Sequence, residues 1–279
     1  MLLPEFYVDD VIKKALSEDI NYIDLATDLL IDDDDMSAAN FVSKAEGVLA
    51  GIDCALRTFT FVDSTVKCEI FIHDGEKVKK GDIIARVEGR TRSILKAERT
   101  SLNILQHMSG VATATNILVE ACVGTKASVV ETRKTLPGLR ALEKYAVMAG
   151  GGRNHRYNLS DAAMLKDNHI DAYGGITGAV SALKKKIGHM AKIEVEVRNK
   201  EELREALECN VDVIMLDNMT PEEMAECVKI ADGRAVLEAS GNINADTIAA
   251  VAKTGVDIIS VGAITHSVKA FDISLKIAK

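Results

Sequence analysis

The sequence predicts an α/β protein in two parts: a small α+β domain with antiparallel pairing, then an open, incomplete (β/α) barrel of parallel strands. Three observations predict it. Before about residue 100 the pattern is mixed, whereas after residue 125 it settles into strand, loop and helix, repeated, which implies a parallel sheet with right-handed crossovers. The stretches VDVIM (211–215) and DIISV (257–261) are nearly continuous apolar runs, as parallel strands covered on both faces are. Arg133, Lys166, Glu196, Asp217, Ser240 and Gly262 fall at or near the C-terminal ends of expected strands, the rim on which (β/α) barrels build their sites. Six strands in about 140 residues are too few for a closed eight-stranded barrel of about 250. A doubly wound open sheet, which also gathers ligands at strand C-termini, is the second choice.

The elements follow in order. A short helix spans 8–16. Strand-like stretches follow at FVSKAEGVLAG (41–51), KCEIFIHDG (67–75) and DIIARVEG (82–89), with turns at Asp74-Gly75 and Lys80-Gly81. A long helix over 97–122 carries Leu102, Leu105, Val111, Ile117 and Leu118 on its apolar side, and Gly110 is a candidate kink. The barrel strands are expected at 127–133, 162–166, 192–198, 211–217, 235–240 and 256–262. Between them, Asn199 with Glu202 and Thr220-Pro221-Glu222-Glu223 read as helix starts, with Pro221 at the first helical position. Gly188 and Gly255 are natural helix stops.

Composition narrows the function. The chain has 279 residues, 47% hydrophobic and 27% charged, with a net charge of −8. That is a globular protein with ample length for a core, and an acidic one argues against nucleic acid as partner. No apolar run approaches the roughly 20 residues of a membrane span, and the start, MLLPEFYVDD, lacks the basic region of a secretory signal. Cys54, Cys68, Cys122, Cys209 and Cys227 are odd in number and never in C-x-x-C spacing, which reads as reduced thiols in a cytoplasm. The charge is uneven. Between Glu131 and His169 seven Lys/Arg face four Asp/Glu, a local +3 that leaves −11 for the rest. A cationic island interleaved with Gly150–Gly152, Asn154 and His155 suits a polyanionic small molecule.

Within that frame, Glu196 and Asp217 form a candidate Mg²⁺ pair, since Mg²⁺ takes one or two carboxylates plus phosphate oxygens and water. Glu194, Glu196 and Arg198 alternate with Ile193, Val195 and Val197, so one strand face carries a charged row that must meet partners or ligand. Ser240-Gly241-Asn242 and Val261-Gly262-Ala263 sit on the last two strand ends, where backbone N–H groups commonly hold a phosphate. Thr132-Arg133-Lys134 and Arg153-Asn154-His155-Arg156 supply guanidinium forks for carboxylates and phosphates. Lys166 follows apolar residues and suits an anion partner or, if desolvated, a Schiff base. His73, His107, His189 and His266 lack neighbouring ligand types and read as structural, and Asp32–Asp35 as a solvated acidic loop.

These segments resemble a known family. ERTSLNILQHMSGVATAT (98–115), the run from ETRKT to DNHI (131–170), EVEVRN (194–199), IMLDNM (214–219), EASGNIN (238–244) and DIISVGAITHS (258–267) are similar to the quinolinate phosphoribosyltransferases, also called nicotinate-nucleotide pyrophosphorylases (carboxylating). The likeness runs through nearly the whole chain in order. One departure is EDINYIDLATD (18–28), where the family has a glycine-containing stretch. The resemblance implies an N-terminal α/β sandwich over residues 1–110, rejoined by a last helix at 268–279, and an open α/β barrel over 111–267. It implies a homodimer at least, with Arg99 reaching the neighbouring subunit's site. The implied reaction joins quinolinate to phosphoribosyl pyrophosphate, giving nicotinate mononucleotide, pyrophosphate and CO₂, the step that feeds NAD synthesis. On that basis Arg99, Arg133, His155, Arg156 and Lys166 clamp the quinolinate carboxylates, with Lys134 near the same anions, and Thr132 is a further substrate-binding residue. Glu196 and Asp217 hold Mg²⁺. The loops Ser240–Asn242 and Val261–Ala263 hold the 5-phosphate. Lys134, Lys166, Glu196 and Asp217 are the expected catalytic residues. Two rivals stay open: a paralogous molybdenum-transport-associated protein of the same fold, and a phosphosugar aldolase using Lys166.

Overall fold

A computed structural model describes residues 3–278; residues 1, 2 and 279, at the ends of the ranges expected for the first domain and the last helix, lie outside the described residues. In chain order the elements are α1 (Glu5–Asp19), α2 (Leu25–Leu30), β1 (Met36–Ser43), β2 (Gly47–Val48), α3 (Ile52–Val62), β3 (Lys67–Ile70), β4 (Lys77–Val78), β5 (Ile83–Arg90) and α4 (Thr91–Ala121). Then come β6 (Ser128–Val130), α5 (Arg140–Ala149), β7 (Ala162–Leu165), α6 (Asp167–Ala172), α7 (Ile176–Lys184), β8 (Lys192–Val197), α8 (Lys200–Glu208) and β9 (Val213–Asp217). The chain ends with α9 (Pro221–Ala231), β10 (Val236–Ser240), α10 (Ile248–Ala252), β11 (Ile258–Ser260), α11 (Ala263–His266) and β12 (Ile273–Ile277). Two compact units result. The first takes residues up to Asn116, then Thr135–Gly151 and the segment from Ser267; the second takes Ile117–Lys134 and Gly152–His266.

The first unit is an antiparallel sheet in the order β12-β1-β5-β3 with helices packed on it. In β1 the buried residues Ala39, Phe41 and Ser43 alternate with more exposed ones, the period of a sheet with one covered face. Ile52, Ala55, Leu56 and Phe59 of α3 meet that face, with Phe59 edge-on to Phe41 at a centroid distance of 5.8 Å. The departing segment at 18–28 forms the α1–α2 connection, where Asp24 caps α2 by accepting the Thr27 N–H at 3.0 Å. His107 is structural, its Nε2 lying 2.9 Å from the fully buried Glu143, whose other oxygen accepts the Leu136 N–H.

One expectation needs correction here. The C-terminal helix is a strand: β12 pairs antiparallel with β1, Ala39 against Ile277 through Ser43 against Ile273. Ile273, Leu275 and Ile277 alternate with Ser274 and Lys276, a period of two that suits a sheet edge. The segment thus rejoins the N-terminal sheet as a fourth strand. By packing, the first unit runs to Asn116 inside α4 and also takes in α5. Gly110 serves close packing: a Cβ there would lie 2.4 Å from the Lys269 carbonyl and 2.8 Å from Val268.

The second unit is a six-stranded parallel sheet in the order β6-β11-β10-β9-β8-β7. β6 and β7 are the first two strands of this sheet in chain order yet stand at its opposite edges, so the barrel is open between them. Thr220 and Glu223 form the expected capping box with Pro221 at the first helical position, and Asn199 accepts the Glu202 N–H. Gly255 has φ +91° just past α10, as a helix stop should, whereas Gly188 is not among the left-handed glycines. Among the described residues no helix is long and apolar enough to cross a membrane.

Candidate active site

The C-terminal ends of the parallel strands surround a cavity of about 730 Å³. Register explains the gathering. Ser240 stands opposite Asp217, and Val197 opposite Leu216, so Glu196, Asp217 and Ser240 leave neighbouring strands at nearly one level. β9 and β10 are buried in the middle and stop on a partly exposed polar residue, Asp217 and Ser240.

The cationic side is built from two loops and one strand end. Thr132, Arg133 and Lys134 follow β6; the Lys134 N–H donates to Oγ1 of Thr132 at 3.1 Å, and Thr265 donates to the Lys134 carbonyl at 2.8 Å. Arg156 is held by donating to the Ala162 carbonyl at 2.9 Å and pointing a second nitrogen at the Met164 sulfur. Burial and the neighbouring Arg133 both push the Arg156 guanidinium below its usual range. Two forks that repel each other in a partly dry site are a demand for an anion between them. Lys166, at the end of β7, donates to Oε2 of Glu196 at 2.8 Å.

Beneath lies a buried cluster. Nε2 of His155 sits 3.3 Å from Oε2 of Glu238 and 3.4 Å from Oε2 of Glu194. Glu238 is 1% exposed and Glu194 5%. Burial alone would lower the His155 pKa, but its bonds to the two carboxylates outweigh that and raise it to about 9. Burial likewise pushes Glu194 up. Nδ1 of His155 accepts the Arg156 N–H at 2.8 Å, which leaves Nε2 as the ring nitrogen that donates to the carboxylates. The His155 N–H itself donates to the buried Glu131 at 3.1 Å.

The opposite side carries carboxylates and phosphate-sized loops. Asp217 accepts from Nδ2 of Asn218 at 2.8 Å. Gly241 takes φ +102°, and Asn242 takes φ +53°, conformations that glycine and asparagine tolerate best. Val261, Gly262 and Ala263 turn from β11 into α11, and a Cβ on Gly262 would lie 3.1 Å from Lys134.

Every residue expected in the site lines this one cavity except Arg99. Arg99 is an exposed residue of α4 in the first unit. His155 lines the cavity too, and its ring nitrogens also face Glu194, Glu238 and the Arg156 N–H. Sequence reasoning missed Glu238, Asn218, His266 and the floor residues Met164 and Met215. Glu238 lies two residues before Ser240, on the same strand face, so the period of two could have found it. His266 was read as structural yet lines the cavity, three residues past Ala263 on a helix too short to show a period. The Asp32–Asp35 loop is exposed, as read.

Fold and cavity together define an open α/β barrel with a site for polyanionic small molecules, cations on one side and paired carboxylates on the other. The family description "Quinolinate phosphoribosyl transferase, C-terminal domain" matches residues 111–276, and its N-terminal counterpart matches 24–109. The probable nicotinate-nucleotide pyrophosphorylase (carboxylating) of Bacillus subtilis (strain 168) is 41% identical over 95% of this chain and 93% of its own. The solved NadC of Streptococcus pyogenes superposes with a TM-score of 0.96 at 40% identity over 100% of both chains. The nicotinate-nucleotide pyrophosphorylase of Francisella tularensis gives 0.95 at 42% identity over 99% and 98%. The chain belongs to the quinolinate phosphoribosyltransferase family.

Proposed function

We propose that this chain joins quinolinate to phosphoribosyl pyrophosphate and releases nicotinate mononucleotide, pyrophosphate and CO₂. The observation that carries the reading is the single cavity in which Arg133, Arg156 and Lys166 face Glu196 and Asp217. Quinolinate brings two carboxylates and the sugar donor brings a phosphate and a pyrophosphate, so the occupant is strongly anionic. Arg133, Arg156 and Lys166 hold the two carboxylates, with Lys134 beside them and Thr132 and His155 fixing the loops that carry the forks. Met164 and Met215 offer an apolar floor for the ring. The main chain of Ser240–Asn242 and Val261–Ala263 receives the 5-phosphate.

Glu196 and Asp217 fit a hard divalent cation: both are carboxylates, on adjacent strands, open to the same cavity. They would hold Mg²⁺, which when bound neutralises charge on the departing pyrophosphate. The protein's own work is positioning and charge. As pyrophosphate leaves, positive charge grows on the sugar carbon and the pyridine nitrogen attacks it. The ring nitrogen becomes cationic, the adjacent carboxylate leaves as CO₂, and the electron pair left on carbon takes a proton. Arg133 and Arg156 keep the ring in line through both steps. Lys166 is half exposed and ion-paired, unlike the desolvated amine that a Schiff-base aldolase needs.

Arg99 is exposed and outside its own cavity, which suits a homodimer in which it serves the neighbouring subunit. Five free cysteines suit a reducing compartment such as the cytoplasm. The test is an assay for nicotinate mononucleotide and CO₂ with quinolinate, phosphoribosyl pyrophosphate and Mg²⁺. Formation of both supports the reading, and absence of nucleotide at high enzyme concentration refutes it and favours a transport-associated role.

A further inference from the structure

The cavity contains a polar link that its substrate contacts do not require. Asn218 follows Asp217 at the end of β9 and takes φ +54°, a left-handed conformation. Its main-chain N–H donates to the Ser240 carbonyl at 2.9 Å. Its Nδ2 donates to Oδ2 of Asp217 at 2.8 Å. Its Oδ1 accepts from Nδ2 of Asn242 at 3.2 Å. Gly241 lies so close that an added Cβ would sit 2.2 Å from that same Oδ1. One amide therefore fixes a carboxylate on one strand end and rests against the loop on the next.

We propose that Asn218 is a positioning residue that couples the cation-binding carboxylate Asp217 to the phosphate-binding loop Ser240–Asn242, so that occupation of either tightens the other. The inference rests on the phosphoribosyl-transfer reading of the cavity. The physical reason is that the carboxamide has a donor and an acceptor at fixed separation. Rotating Asp217 to meet a cation pulls Nδ2, and the same rigid group carries Oδ1, against which Asn242 and Gly241 are packed. A phosphate that orders the loop holds Oδ1 and, through it, the carboxylate. The left-handed backbone at Asn218 and at Asn242 aims both side chains at each other, and asparagine is among the few residues that adopt it readily.

The test uses the full chain, with Mn²⁺ as calorimetric probe of the carboxylates and ribose 5-phosphate as probe of the loop. In the wild-type protein each ligand tightens the other by the same factor, about fivefold or more. Asn218→Gly keeps the left-handed backbone and deletes the amide, and there the factor falls to about one. In steady-state assays the KM for phosphoribosyl pyrophosphate rises about tenfold while that for quinolinate, held across the cavity, stays within about twofold. If Asn218→Gly does not fold, Asn218→Asp, which keeps the shape but replaces the donor by a second carboxylate, abolishes the coupling instead. Independent binding in the wild-type protein, or unchanged coupling in the variants, overturns the proposal. Nucleotide formation by the wild-type protein is scored separately, so failure of the overall reaction and failure of the coupling give different results.

Discussion

The ammonium of Lys166 donates to Oε2 of Glu196 across 2.8 Å, joining the end of β7 to the end of β8. The site thus pairs one of its cations with one of its carboxylates, and in the proposed reaction substrate binding exchanges partners, a dicarboxylate for Lys166 and a metal for Glu196. The exchange keeps both groups solvated and paired when free, which limits the cost of gathering like charges in one cavity.

Lys166→Met removes the partner that quinolinate captures. We expect kcat/KM for quinolinate to fall by about 2–4 kcal/mol of transition-state stabilisation. Steady-state kinetics with both substrates check this, and borohydride with any phosphosugar should trap no adduct at Lys166 in the wild-type protein.

Arg133→Ala removes one of the two guanidinium forks proposed to hold quinolinate. The expected loss is again about 2–4 kcal/mol in kcat/KM. It should appear in kcat as well as KM, because the fork aligns the ring for attack. Near-normal kcat/KM would remove Arg133 from the binding role.

The His155 cluster makes stability pH-dependent. An ordinary histidine titrates near 6.5, and here bonds to Glu194 and Glu238 raise the value to about 9. A raised pKa means the folded protein holds a proton that the unfolded chain releases. The contribution is full below pH 6.5 and is lost as pH rises through 9, on the order of 3 kcal/mol at most. Urea unfolding between pH 6 and 10 checks the sign. Glu238→Gln should flatten the slope and lower stability at pH 6, since it removes the carboxylate opposite Nε2.

Gly241→Ala tests the phosphate loop without touching a charge. Its φ of +102° and the 2.2 Å approach to Asn218 leave no room for a methyl group. The loop must shift, at about 1–3 kcal/mol. We expect a raised KM for phosphoribosyl pyrophosphate, an unchanged KM for quinolinate and a slightly lower melting temperature.

The core offers a control far from the chemistry. Phe59 is fully buried against Phe41, and Phe59→Ala should cost about 3–5 kcal/mol of stability by leaving a cavity. Urea unfolding measures it, and activity per folded molecule should be retained.

Much of this architecture was legible because its signals are local. Apolar runs marked β9 and β11, and Thr220 with Glu223 marked the start of α9 within a few residues. The last strand was expected as a helix from the family resemblance alone, and its five residues give too few periods to separate 2 from 3.6. α5 packs with the first unit although it follows β6 in the chain, because chain order says nothing about which core a helix joins.

By itself the sequence determined the alternation of strands and helices, the cationic segment at 131–169 and the polar residues at strand ends, since each depends on residues close in the chain. Only the tertiary structure decided who meets whom. It set His155 on Glu194 and Glu238, 39 and 83 positions away, paired Lys166 with Glu196, and laid Gly241 against Asn218. Those contacts depend on strand register and on the order of strands across the sheet, which hydrogen bonds between distant segments fix and no local pattern encodes.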